Sequence, residues 1–135
     1  MTYLVDANVL SEPTRPRPNA RVVAWLERNE RELVIDPIIA GEIGFGIYLL
    51  PPGKKRRRLQ AWFEKGLGRL RCVPWELATG LRWARLVAEL RASGQAMPVK
   101  DSMIAATALV HELVVATRNA IDFKKARVEV VDPFA

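Results

Sequence analysis

The chain has 135 residues, 50% apolar and 27% charged, which suffices for one domain with its own core and leaves no room for a second. A single cysteine, Cys72, and a single histidine, His111, exclude a disulfide framework and a Cys/His zinc cage. The balance of 21 Lys and Arg against 15 Asp and Glu, +6 overall, favours attraction to polyanions, nucleic acid being the first partner to test, and a generally basic surface is the alternative reading.

No apolar run approaches the roughly 18 residues of a membrane span, and Asp6 interrupts the first one too early for a signal peptide. With one thiol and no anchor, the expectation is a soluble cytoplasmic protein with no membrane contact.

Residues 2–5 (TYLV) form the first strand-prone run, closed by Asp6. Residues 20–28 place apolar side chains at 22, 23, 25 and 26, which predicts a helix. A second strand over 33–35 leads into Asp36-Pro37, where the aspartate can cap a helix over 37–50 and the proline takes its first position. Pro51-Pro52-Gly53 breaks that helix, and another begins over 54–66 with the cluster KKRRR (54–58), whose spread around the axis reads as a solvated face, with a nucleic-acid track as the alternative. Strand 70–73 carries Cys72, read as a small buried apolar residue. Residues 76–92 set Leu77, Leu81, Ala84, Val87 and Ala88 at helical spacing, and Pro98 introduces a helix over 99–112 that ends beside His111, read as structural. Strands 113–116 (LVVA) and 128–131 (VEVV) complete five. The four tryptophans, Trp25, Trp62, Trp75 and Trp83, are too unevenly spaced for a base-stacking platform and read as core or subunit contacts.

Strands alternating with helices predict an α/β fold, a parallel sheet of about five strands with helices on both faces. In such sheets ligands bind along the edge formed by the strands' C-terminal ends. Four acids fall on that edge. Asp6 ends the first strand, Glu42 lies in the second turn of the helix after the second, Asp101 opens the helix before the fourth, and Asp122 follows the fourth. Each aspartate also has a local reading, as an Asx-turn, an N-cap or a loop tie. Glu42, among Ile39, Gly41, Ile43 and Gly44, has no such role. Asp36 is accounted for by its cap, and Glu12 is the nearest rival ligand.

Two carboxylates about 5 Å apart repel by roughly 3 kcal/mol at an effective dielectric of about 20, so four need protons or a cation. An all-oxygen donor set predicts a hard ion, Mg²⁺ or Mn²⁺, with an activated water as nucleophile toward phosphate. Lys100, Arg118 and Asn119 lie at the mouth of this site, and the two bases are candidate substrate contacts. The glycines of GEIGFG lack the ending of a phosphate loop.

The segments VDANVLSE (5–12), AGEIGFGIYLLPPGKKRR (40–57), KDSMIAATAL (100–109), ATRNAIDF (116–123) and VVDPF (130–134) occur in order along the chain. Together they resemble the PIN-domain nucleases, in particular the VapC-like toxins of type II toxin–antitoxin modules and their FitB-like branch. The resemblance spans the whole chain and implies a single PIN domain over 1–135, an α/β/α sandwich acting as a Mg²⁺- or Mn²⁺-dependent endoribonuclease on RNA. The family's acidic quartet falls on Asp6, Glu42, Asp101 and Asp122, its supporting polar residues on Asn8, Thr117 and Asn119. Many PIN domains carry aspartate where Asn119 stands, which leaves Asp122 as the fourth acid. The resemblance further implies a homodimer and a cognate VapB/FitA-like antitoxin that inserts a segment into the acidic groove. Two other readings compete: a non-catalytic RNA- or partner-binding module with a vestigial acidic pocket, and a phosphatase using Asp6 as nucleophile. The second wants an aspartate at position 8, where asparagine stands.

Overall fold

The apolar runs pair in parallel because the helix after each returns the chain to the same end of the sheet. The computed structural model describes all of residues 1–135. Its strands β1 (Tyr3–Val5), β2 (Leu33–Ile35), β3 (Arg71–Cys72), β4 (Val114–Ala116) and β5 (Val130–Val131) form one sheet in the order β3-β2-β1-β4-β5. Every neighbouring pair is parallel. The strand order reverses between β1 and β4, the switch point outside which open α/β sheets place their ligands.

The helices are α1 (Ala7–Leu10), α2 (Ala20–Arg28), α3 (Pro37–Tyr48), α4 (Lys54–Leu67), α5 (Leu77–Ala92), α6 (Val99–His111) and α7 (Ala120–Lys125). Period-two alternation sends the central strands' side chains to two cores. Leu4 and Val115, paired in register, join Ile39, Ile104 and Phe123 on one face. Val5 and Ala116 join Val22 and Trp25 on the other, where the Trp25 ring meets Tyr3 edge-on at 4.9 Å. Helix α6 is the most enclosed, because Ala105, Ala106 and Ala108 let neighbouring backbone approach closely. None of the seven helices is long and apolar enough to cross a membrane.

Asp36 caps α3 as its position before Pro37 predicts, its Oδ1 accepting from the Ile39 amide at 2.8 Å. Its Oδ2 accepts from the Thr107 hydroxyl at 2.7 Å, and Thr107 Oγ1 accepts from the Trp75 indole at 3.1 Å. This chain ties α3, α6 and the segment before α5 together. Trp83 likewise donates to Ser102 at 2.9 Å, so Trp25, Trp75 and Trp83 serve the fold.

The five expected strands and five expected helices are present, with no end displaced by more than two residues. Two helices were not anticipated. At four and six residues, α1 and α7 are too short for apolar periodicity to register. Cys72 corrects another expectation. It is exposed rather than buried, because β3 is a two-residue edge strand paired only with β2.

Replacing Thr107 with the isosteric valine removes a donor from the fully buried Asp36 carboxylate. The expected loss is about 1–3 kcal/mol of unfolding free energy, read by urea denaturation.

Candidate functional site

The register of the two central strands builds the site. Because Val5 pairs with Ala116, the next residues, Asp6 and Thr117, face one another across the switch point. Thr117 donates its hydroxyl to Asp6 Oδ2 at 2.8 Å, and the Asn8 amide reaches the same oxygen at 3.4 Å. Asp6 Oδ1 accepts from the Ala7 amide at 2.8 Å, capping α1. Asn8 Oδ1 in turn accepts from the Arg118 amide, and Thr117 Oγ1 from the Asn119 amide. Asp6 and Thr117 are both buried, so these bonds hold the carboxylate in one orientation.

Asp101 enters from the first turn of α6 and is also buried. Its carboxyl is pushed up to about 6, first by burial and then by the charges of Asp6, Asp122 and Glu42, with Lys100 opposing them. Asp6 is raised as well, by burial first and by Glu42 after it, with the Thr117 hydroxyl holding it down. Asp101 therefore lies within the field of all three other predicted acids.

Glu42, on α3, is half-buried. Its Oε1 pairs with Lys100 Nζ at 2.6 Å, while its Oε2 is buried without a hydrogen-bond partner. Beside it runs a groove of about 300 Å³ lined by Asn8, Ser11, Gly46 and Trp62 among others. Asp122 sits in the first turn of α7, where its Oδ1 pairs with Lys125 at 3.2 Å; Lys125 also donates to the Ala96 carbonyl. The four acids thus share one edge, yet no three of them close around a single point.

The remaining candidates separate clearly. Glu12 faces its own loop, accepting from the Asn19 amide at 2.9 Å and pairing with Arg15 at 3.4 Å, which explains its burial without a site. Arg118 is exposed at the rim with its guanidinium 4.6 Å over the Phe134 ring. Asn119 contributes its backbone amide, and its side chain makes no capping bond to α7. From the residues alone the Asp6 to Thr117 bond was missed, although pairing VDAN with ATRN in a parallel register was the signal that could have found it. The Lys100 to Glu42 pair left no trace in sequence, since α3 and α6 meet only in the fold.

Known proteins resemble this chain along nearly its whole length. Residues 3–129 match the family model described as the PIN domain. The chain is 38% identical to toxin FitB of Neisseria gonorrhoeae, with 97% of each chain covered. It is 33% identical to the VapC ribonuclease Y4jK of Sinorhizobium fredii, covering 97% of this chain and 96% of that one. Among solved structures, FitAB bound to an IR36 DNA fragment superposes with a TM-score of 0.91 at 34% identity, over 99% of this chain and 96% of that one.

The raised Asp101 pKa carries a sign. The folded protein takes up a proton near pH 6, whereas the unfolded chain waits until near the ordinary 3.8, so the charged carboxylate costs stability at neutral pH. Asp101→Asn should melt several degrees higher than wild type at pH 7.5 in chelator. That gain should shrink steadily as pH falls from 7 to 4, as followed by differential scanning calorimetry.

Proposed function

The chain belongs to the PIN domain family, and from that premise we propose that it is the toxin of a type II toxin–antitoxin module. It acts in the cytoplasm as an endoribonuclease, hydrolysing RNA phosphodiester bonds with Mg²⁺ or Mn²⁺. The observation that carries this reading is Asp101, buried at the switch point within the field of Asp6, Glu42 and Asp122. Relatives named toxin FitB and VapC ribonuclease, matched along nearly their whole length, support the same activity.

The donor set fits a hard dication. All four side chains offer carboxylate oxygens, and Glu42 Oε2 is buried with nothing to satisfy it. Asp6, Glu42 and Asp101 would hold the ion directly or through water, with Asp122 completing or orienting the shell. When bound, the ion neutralises charge on the phosphoryl oxygens and activates a water for attack. The chain's own residues do the rest. Thr117 and Asn8 fix the Asp6 carboxylate, Asn119 steadies Thr117 through its amide, and one carboxylate accepts the proton of the attacking water. Arg118 and Lys100 offer cations to the RNA backbone at the rim.

Partners follow from two apolar surfaces. A groove of about 280 Å³ between α2 and α4, lined by Leu26, Leu33, Trp62, Phe63, Leu67 and Leu70, suits the apolar face of a VapB/FitA-like antitoxin. Phe45 and Tyr48 on α3 and Leu81 on α5 are 64%, 65% and 64% exposed, an apolar excess that a homodimer would cover.

Asp6→Asn and Asp101→Asn should each cut RNA cleavage about a hundredfold or more while the protein stays folded, and excess chelator should do the same to wild type. Undiminished cleavage in both variants would overturn the mechanism. Phe45→Glu combined with Leu81→Glu should convert a dimer to a monomer in sedimentation velocity.

A further inference from the structure

Lys100 occupies the first turn of α6, the end of a helix where the backbone dipole favours acids and disfavours a cation by about 0.3–1 kcal/mol. No side chain caps this helix, so nothing local recommends a lysine there. Its compensation is tertiary. Nζ lies 2.6 Å from Oε1 of Glu42 on α3, a short charge-assisted bond between side chains 48% and 29% exposed. The pair engages one Glu42 oxygen and leaves the other buried and unpartnered. In this arrangement no three acids converge on one point.

We propose that Lys100 is a tethered cation that holds Glu42 in the absence of a divalent ion and competes with that ion for the Glu42 carboxylate. This deepens the metal-dependent reading above and rests on it. A dication that uses Glu42 must first break the lysine pair, which frees both glutamate oxygens. The ammonium, on its flexible four-carbon stem, then turns outward to the rim. Lys100 thereby sets the concentration of divalent ion at which the site fills. If the pair is closed about four-fifths of the time, the apparent affinity for the ion is about fivefold weaker than that of the open site.

The test is calorimetric titration of Mn²⁺ into the full chain, as wild type, Lys100→Met, Lys100→Arg, Glu42→Gln and the Glu42→Gln/Lys100→Met double variant, each checked for folding by circular dichroism. Lys100→Met should bind Mn²⁺ about fivefold more tightly than wild type, and Lys100→Arg, which keeps the cation, should stay near wild type. In the Glu42→Gln background the same Lys100→Met change should shift affinity by less than about twofold, because the carboxylate under competition is gone. Equal or weaker binding by Lys100→Met overturns the proposal. A tightening that persists undiminished without Glu42 also overturns it, since Lys100 would then act only as a background charge. The absence of saturable heat from every protein would instead remove the metal-dependent reading itself.

Discussion

In the middle of the sheet, β1 and β4 run side by side in register, and their ends bring Thr117 within 2.8 Å of Asp6, 111 residues away in sequence. That one hydrogen bond crosses the point where the strand order reverses. It does for the site what a staple does for a fold. The first strand ends on a carboxylate that is buried, oriented by Ala7 and Thr117, and unable to turn to solvent. Every other acid is added around this fixed group, from α3, α6 and α7, each of which starts on the same edge. The repulsion they impose on Asp101 is a consequence of topology before it is a matter of chemistry.

Two buried aspartates show how differently the fold can treat the same side chain. Asp36 and Asp101 are both raised by burial. Asp36 receives an amide from Ile39 and a hydroxyl from Thr107, and these bonds oppose the effect of its burial. Asp101 instead feels the charges of three acids, which Lys100 opposes. The first arrangement is satisfied as it stands. The second gathers like charges around a buried carboxylate, so its ionised form is the strained one.

Much of this was legible in the sequence because it depends on local signals. Asp36 before Pro37 reads as a cap and is one, and strands over 33–35 and 113–116 follow from dense runs of β-branched residues. Placing Asp6, Glu42, Asp101 and Asp122 on a common edge required only the order of strands and helices and the rule for parallel sheets. What escaped depends on information that no window of sequence holds. Helices α1 and α7 are shorter than two helical periods. The exposure of Cys72 depends on β3 being the last strand at its edge. Glu12 looked like a ligand until its partners, Asn19 and Arg15, turned out to lie in its own loop. The pairing of Lys100 with Glu42 depends on how α3 and α6 pack.

Both margins of the sheet end in strands of two residues, β3 on one side and β5 on the other. So short a ladder offers too few free amide and carbonyl groups to recruit a foreign strand, and Arg71 adds a charge at one of the two margins. Lateral sheet growth, a common route from a compact α/β protein to a fibril, is thereby blocked at each end. Contacts with other chains are left to helical faces, whose geometry can be remodelled by surface substitution without altering the backbone register that aligns Asp6 with Thr117.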